Sequence, residues 1–198
     1  MSLRPQFSQQ RQLIRHEVRQ RRNSLTPEQQ RNFALQLAKR VSHHPHILAA
    51  QNVAAFLSFD GELDTGPLIE QLWLLGKQVY LPVLHPFNAG NLLFLHYTAK
   101  TGLIYNRFKI LEPALDVRSV LPLSQLDVLL APLVAFDSQG QRLGMGGGFY
   151  DRTLQNWQSG GPYPIGLAHD CQQVTRLPVE QWDIALPQII TPSKTWSW

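Results

Sequence analysis

Cysteine is nearly absent from this 198-residue chain: Cys171 stands alone, which excludes an internal disulfide and a cysteine-cluster zinc site. Long apolar runs are missing too. No window approaches 18 uninterrupted apolar residues, so no helix is expected to span a membrane. The opening Met1-Ser2-Leu3-Arg4-Pro5-Gln6 has none of the apolar character of a secretory signal, and the expected location is the cytoplasm. There is no internal repeat and no low-complexity tract. Acidic residues are scarce at one end only: residues 1–50 hold two acids against nine Lys and Arg, whereas residues 51–198 hold twelve against nine. The net charge of +4 therefore belongs to the N-terminal quarter, which suits an anionic partner, whether a nucleotide phosphate, a nucleic acid or a polyanionic substrate.

A chain of 198 residues with 43% hydrophobic content is long enough for one domain that buries about 70% of its unfolded surface. Residues 1–198 are expected to form a single domain, in which residues 1–46 are basic helices packing on an α/β body. Residues 8–22 read as a helix with Leu13, Ile14 and Val18 on one side. Arg11, Arg15, Arg19 and Arg22 recur at helical spacing and form a stripe. Thr26-Pro27-Glu28-Gln29 starts a second helix: Thr26 caps, Pro27 takes the first helical position and Gln29 completes a capping box. After residue 50 the texture changes. Val53–Leu57 is a continuous apolar run, as in a strand covered on both faces. A helix opens at Asp64-Thr65-Gly66-Pro67 and ends at Gly76. Further strands are expected at Val79–Leu81, Leu92–Tyr97, Val128–Ala131 and Ile165–Ala168, with a helix from about Tyr150. This alternation predicts an α/β fold: three layers, an open and mostly parallel sheet with helices on both faces, and an N-terminal helical appendage.

The most informative stretch runs from Asp137 to Arg152 and contains Arg142-Leu143-Gly144-Met145-Gly146-Gly147-Gly148-Phe149-Tyr150-Asp151. It lies between a strand and a helix, where α/β sheets bind ligands. Four glycines in five residues let the backbone take positive φ and turn its N–H groups toward an anion. The following helix adds the positive end of its dipole. Arg142 can grip a phosphate with two hydrogen bonds, and Asp151 can reach a magnesium ion. The segment is not a Walker A loop, which needs Gly-Lys-Ser/Thr, and the third glycine of a dinucleotide fingerprint would fall at Phe149.

Arg142-Leu143-Gly144-x-Gly146-x-Gly148-Phe149-Tyr150-Asp151 resembles the signature of the 5-formyltetrahydrofolate cyclo-ligase family. The likeness covers most of the chain. The Arg11–Arg15 pair resembles that family's basic N-terminal helix, which meets ATP phosphates. Phe56-Leu57-Ser58 with Glu62 resembles its folate-holding segment, and Phe108-x-Ile110-Leu111-Glu112-Pro113 its central motif. Gly166-Leu167-Ala168 with Gln172, then Leu177-Pro178, resembles its late strand and loop. The resemblance implies that ATP, with Mg2+, phosphorylates the formyl oxygen of 5-formyltetrahydrofolate; N10 then attacks, and phosphate leaves to give 5,10-methenyltetrahydrofolate. It implies Arg142 and Arg15 as catalytic groups. ATP would be bound by Arg11, Arg15, Arg142, Gly144, Met145, Gly146, Gly147, Gly148, Phe149 and Tyr150. Folate would be bound by Leu57, Glu62 and Phe108, and the metal by Asp151 and Asp183. Met145 and Gly147 stand where some members carry Arg and Lys, Arg11 where Lys is common, and Phe149 where Tyr is frequent. The expected working unit is a monomer acting on small molecules, without membrane or nucleic acid.

Other residues have plainer readings. His43-His44-Pro45-His46 is expected to be a surface cluster at a helix end rather than a metal site. Cys171, beside His169 and Asp170, is expected to be structural. Trp73 belongs with the core by its spacing, while Trp196 and Trp198 either dock on the body or form a loose tail. Two rival functions remain open at this level. One is a regulatory protein that binds nucleotide or nucleic acid without catalysis, favoured by the arginine stripe but lacking interleaved aromatics. The other is an ATP-dependent enzyme of the same fold with a different substrate.

Overall fold

The apolar runs become strands in a computed structural model, which describes residues 4–198. In chain order the strands are β1 (Asn52–Ala54), β2 (Gln78–Leu84), β3 (Leu92–Tyr97), β4 (Leu103–Tyr105), β5 (Leu111–Pro113), β6 (Val120–Leu121), β7 (Val128–Pro132), β8 (Ala135–Phe136), β9 (Arg142–Leu143), β10 (Tyr163–Leu167), β11 (Gln188–Ile190) and β12 (Thr195–Ser197). The helices are α1 (Arg4–Asn23), α2 (Pro27–Ser42), α3 (Pro45–Ala49), α4 (Gly66–Leu74) and α5 (Phe149–Leu154). Eight strands form one sheet in the order β12-β11-β10-β7-β1-β2-β3-β6. From β11 to β2 the neighbours are parallel, and antiparallel strands close both edges. Two small hairpins, β4–β5 and β8–β9, stand apart from it.

Burial explains the parallel centre. Val128, Leu129, Leu130 and Ala131 are all buried, as a strand needs when helices cover both faces. On one face Leu37 and Val41 of α2, Ile47 of α3 and Leu68 and Leu72 of α4 pack on Val53, Val79, Leu130 and Ile165. On the other, Leu154 of α5 joins Ala54, Phe94, Leu129 and Ile189. The two N-terminal helices pack on this body in different places. Helix α2 belongs to a helical layer, while α1 lies across the β8–β9 hairpin through Ile14 and Val18, which meet Val134, Ala135 and Leu143.

Local chemistry sets the element ends. The capping box at Thr26 forms in full, with Gln29 N–H on Thr26 Oγ1 at 3.2 Å and Thr26 N–H on Gln29 Oε1 at 2.9 Å. Helix α4 opens within the expected Asp64–Pro67 segment, at Gly66, whose N–H is taken by Asp64 Oδ1 at 2.9 Å. It ends in a Schellman turn: Lys77 N–H reaches the Leu72 carbonyl and Gly76, at φ +72°, donates to Trp73. The strand expected over 53–57 stops at Ala54. The Thr65 hydroxyl donates to the Phe56 carbonyl, which peels the chain off the sheet. The C-terminal tryptophans dock. Trp196 lies in β12 and meets the Phe136 ring edge-to-face at 5.7 Å, and Trp198 packs so closely on Gly140 that a Cβ there would come within 2.9 Å of its ring. His46 stacks on Tyr163 at 3.7 Å, and Cys171 is half-buried. Among the described residues no helix is long and apolar enough to cross a membrane.

Candidate active site

Strand β1 has β2 on one side and β7 on the other, so the chain reverses its direction of growth between β1 and β7. At such a switch point the loops beyond the strand ends splay apart and leave a crevice. A cavity of about 850 Å³ opens there, between Phe56 and Leu57 after β1 and Pro132 and Leu133 at the end of β7.

One end of the cavity is built by the β8–β9 hairpin and the loop after it. The buried Asp137 carboxylate holds the hairpin turn by accepting from Gln139 N–H at 2.9 Å, Gln141 N–H at 3.2 Å and Leu177 N–H at 3.0 Å. That fixes Arg142 on β9, 4% exposed, with Nη2 donating to Asp151 Oδ1 at 2.7 Å. Its Nε is buried and has no partner among the described residues. Burial draws the Arg142 pKa below its ordinary value, and Asp151 opposes that shift. Gly144–Gly148 then skirt the cavity, with Gly146 at φ +108° and Gly148 at φ +66°. Those values require glycine where the loop turns into α5. Helix α5 is only six residues long, under two turns, so its dipole adds little to the loop amides.

Helix α1 supplies the remaining cations at this end. Arg15 Nε donates to the Gly144 carbonyl at 2.8 Å, and Arg11 makes a forked ion pair with Asp183, one arm at 2.9 Å. Asp183 also accepts the Glu180 N–H at 2.9 Å. Its carboxylate raises the Arg11 pKa, whereas burial lowers that of Arg15. Asp151 accepts from Ile184 N–H at 3.2 Å through the same Oδ1 that meets Arg142. Its Oδ2 has no hydrogen bond among the described residues, so it is free for a hard cation. Magnesium is satisfied by one or two carboxylates together with substrate phosphates, and this arrangement fits it. No group of three or more His, Cys, Asp or Glu is placed to hold a metal among the described residues.

The opposite end is more apolar, lined by Phe56, Leu57, Phe59 and Leu81. Phe59-Asp60-Gly61-Glu62 is a type I′ turn, with Asp60 at φ +52°, Gly61 at φ +72° and Glu62 N–H on the Phe59 carbonyl at 3.0 Å. It points Glu62, 8% exposed, into the cavity lining. Burial pushes the Glu62 carboxyl up to about 7, against the pull of the Arg22 guanidinium. Tyr150, from α5, also lines the cavity, and burial raises its pKa so that the hydroxyl stays protonated. Phe108 hangs over the cavity from the β4–β5 turn, half-exposed, and meets Phe149 edge-to-face at 6.1 Å.

All of the site residues singled out from the sequence line this one cavity: Arg11 and Arg15 from α1, Leu57 and Glu62 after β1, Phe108, Arg142, Gly144 through Asp151, and Asp183. Residues 137–151 carry the phosphate-suited groups, and the other segments converge on them. Sequence reasoning missed the pair Asn106–Glu112. Glu112 accepts from Asn106 Nδ2 at 2.9 Å and from Leu84 N–H at 3.2 Å, and so ties the Phe108 hairpin to β2. It also missed Trp182, 62% exposed at the rim, for which the sequence carries no signal. The Asp60-Gly61 dipeptide is the local sequence signal for this I′ turn. The arginine stripe turns inward, onto Asp183, Gly144 and Asp60, and does not form a free cationic face.

Residues 7–192 match the 5-formyltetrahydrofolate cyclo-ligase family. The chain is 67% identical over 181 residues to the 5-formyltetrahydrofolate cyclo-ligase of Escherichia coli strain K12, covering 91% of this chain and 100% of that protein. It is 51% identical over 183 residues to the enzyme of the same name from Haemophilus influenzae, covering 92% and 98%. Among solved structures, the 5,10-methenyltetrahydrofolate synthetase of Aquifex aeolicus superposes with a TM-score of 0.80 at 26% identity, over 94% of this chain and 92% of that one.

Proposed function

Because the chain belongs to the 5-formyltetrahydrofolate cyclo-ligase family, it is a ligase that converts 5-formyltetrahydrofolate to 5,10-methenyltetrahydrofolate, and we propose that it uses ATP as the phosphoryl donor, with magnesium, in the cavity beyond the strand ends. The observation that carries this is the buried Arg142 guanidinium, whose unpartnered Nε stands beside a glycine loop with two positive-φ residues. Asp151 takes only Nη2, so the Nε edge remains for a phosphate oxygen.

ATP phosphates lie along Gly144–Gly148, where Met145 and Gly147 add backbone amides, and are gripped by Arg142, Arg15 and Arg11. Phe149 and Tyr150 wall the nucleotide side. The γ-phosphoryl group passes to the formyl oxygen, the N10 lone pair closes the five-membered ring on the activated carbon, N10 gives up its proton, and the C–O bond breaks to release the formyl oxygen in hydrogen phosphate, which accounts for that proton. ADP and phosphate are therefore the by-products. Arg142 and Arg15 act on the transferring group by stabilising charge and by alignment, the main demands of phosphoryl transfer. Asp151, through its free Oδ2, and Asp183 would hold a magnesium ion, which would supply neutralisation of phosphate charge. Both acids are paired with arginines in the protein itself. Nucleotide and metal thus suit being taken up together, since the arginines can turn to phosphate as the carboxylates turn to the cation.

Glu62 receives the N–H edge of the pterin, for which a carboxylate offers two acceptors. Leu57 and Phe108 pack on the rest of the folate. The test is absorbance of methenyltetrahydrofolate in the near ultraviolet, with 5-formyltetrahydrofolate, ATP and magnesium present. Product that needs ATP and is lost in Arg142→Ala supports the reading. Product formed without ATP would overturn it.

A further inference from the structure

Arg22 is the largest side chain among the fully buried residues of the described chain, and the phosphate chemistry makes no use of it. It shares α1 with Arg11 but lies roughly 16 Å further along the helix axis. A buried guanidinium has five N–H donors to satisfy. Arg22 Nε donates to the Asp60 carbonyl at 2.8 Å and Nη2 to Asp60 Oδ2 at 2.8 Å, while Nη1 reaches the Leu133 carbonyl at 3.5 Å. The same Nη1 stands 3.9 Å from Glu62 Oε1. One fork thus joins the Phe59–Glu62 turn to the end of β7.

The turn needs such a clamp. Asp60 is a non-glycine residue at positive φ, a conformation that persists when its surroundings over-determine it. Arg19 Nε adds a bond to Asp60 Oδ2 at 2.6 Å, and Gln30 Nε2 reaches the Gly61 carbonyl at 3.4 Å. Gly61 lies so close to α1 that a Cβ would come within 2.4 Å of Asn23 Oδ1. The charges facing Glu62 come from four elements: Arg22 on α1, Asp60 in its own turn, His169 after β10 and Tyr150 on α5. Burial holds His169 near 4, hence neutral, and Tyr150 stays protonated. Arg22 is therefore the positive charge that favours an ionised Glu62.

We infer that Arg22 is a positioning residue for the folate substrate: through the Phe59–Glu62 turn it fixes where the Glu62 carboxylate stands in the cavity. This rests on Glu62 as the pterin-binding group. A lysine would keep the charge but not the fork that spans three acceptors.

The test is a double-mutant cycle of Arg22→Gln, Arg22→Lys and Glu62→Gln, with KM for folate and for ATP and the pH profile of kcat/KM for folate, on proteins whose circular dichroism shows them folded. Arg22→Gln is expected to raise the folate KM about tenfold and to move the acid limb up by about one pH unit, with the ATP KM within about twofold of wild type. Arg22→Lys should return the limb to its original pH while only partly restoring KM. In a Glu62→Gln background, Arg22→Gln should add less than about twofold, since coupled residues are not additive. Arg21→Gln, whose side chain pairs with Glu17 on the exposed side of α1, should change little. Equal losses toward ATP and folate, an unmoved acid limb, or full multiplication of the two effects would each overturn the inference. If Arg22→Gln fails to fold, Arg22→Lys alone carries the cycle: its KM effect must vanish in Glu62→Gln. A Glu62→Gln enzyme with normal folate KM would bring down the reading of Glu62 itself, and the role of Arg22 with it.

Discussion

The two ends of the cavity manage charge in opposite ways. At the glycine-loop end, arginines and carboxylates pair with each other, Arg142 with Asp151 and Arg11 with Asp183. Both carboxylates there hold an arginine that a cation can replace, while Arg15 holds only the Gly144 carbonyl. At the Glu62 end, burial does the work: the carboxyl is pushed up to about 7 and His169 down to about 4. The first arrangement suits a highly charged ligand, because the exchange of partners keeps the charge count balanced. The second suits a nearly neutral heterocycle, whose hydrogen bonds gain strength where water is excluded.

The largest effect should come from breaking the glycine-loop end. Arg142→Ala removes the buried guanidinium and leaves Asp151 without its partner; kcat/KM for both substrates is expected to fall about 1,000-fold, read as phosphate release. The Glu62 end should respond more selectively. Glu62→Gln is expected to lower kcat/KM for folate by about 10- to 100-fold, to leave the ATP KM unchanged, and to abolish the acid limb near pH 7. Equal losses toward both substrates would erase the distinction between the ends.

Stability sharpens the contrast. The Glu62 carboxyl titrates near 7 in the folded chain, above its ordinary 4.5. Between those values the folded state binds the extra proton, so this group's contribution to stability is present at low pH and lost as pH rises through 7. Glu62→Gln is therefore expected to be more stable than wild type at pH 8 by about 2–3 kcal/mol, measured by urea denaturation, with the gain gone by pH 4.5. His169 works the other way. Its folded value near 4 lies below the ordinary 6.5, so its contribution is lost as pH falls from 6.5 toward 4. The two slopes oppose each other in the wild type, and Glu62→Gln should expose the acid sensitivity of His169. The smallest effect belongs to a residue outside both ends: Thr26→Ala should cost about 1 kcal/mol through the lost cap, without changing either KM.

Much of this was legible where the determinants are local. The capping box at Thr26, the glycine segment and the apolar runs of β3 and β7 each lie within a few residues, and each formed close to where the sequence placed it. The partners of the arginines were not legible. Helical spacing says that Arg11, Arg15, Arg19 and Arg22 share a stripe; it does not say what the stripe meets. Two of their contacts, Arg15 with Gly144 and Arg11 with Asp183, cross 129 and 172 residues. Such pairings depend on how α1 crosses the strand ends, which no short pattern encodes. The early end of β1 has a similar cause, since the Thr65 hydroxyl that takes the Phe56 carbonyl lies nine residues away on the far side of a turn.

The Arg11–Asp183 pair also bears on how the protein is made. Asp183 is translated 172 residues after Arg11, which at ribosomal rates of about 5–20 residues per second is a delay of roughly ten to thirty seconds. Throughout that interval the emerging α1 carries its arginines without the carboxylate that later receives one of them. Strands and helices can assemble on the nascent chain, but the phosphate-suited end cannot close until the 177–187 segment has been synthesised. An arrested translation product would therefore hold most of the sheet and none of the completed cavity.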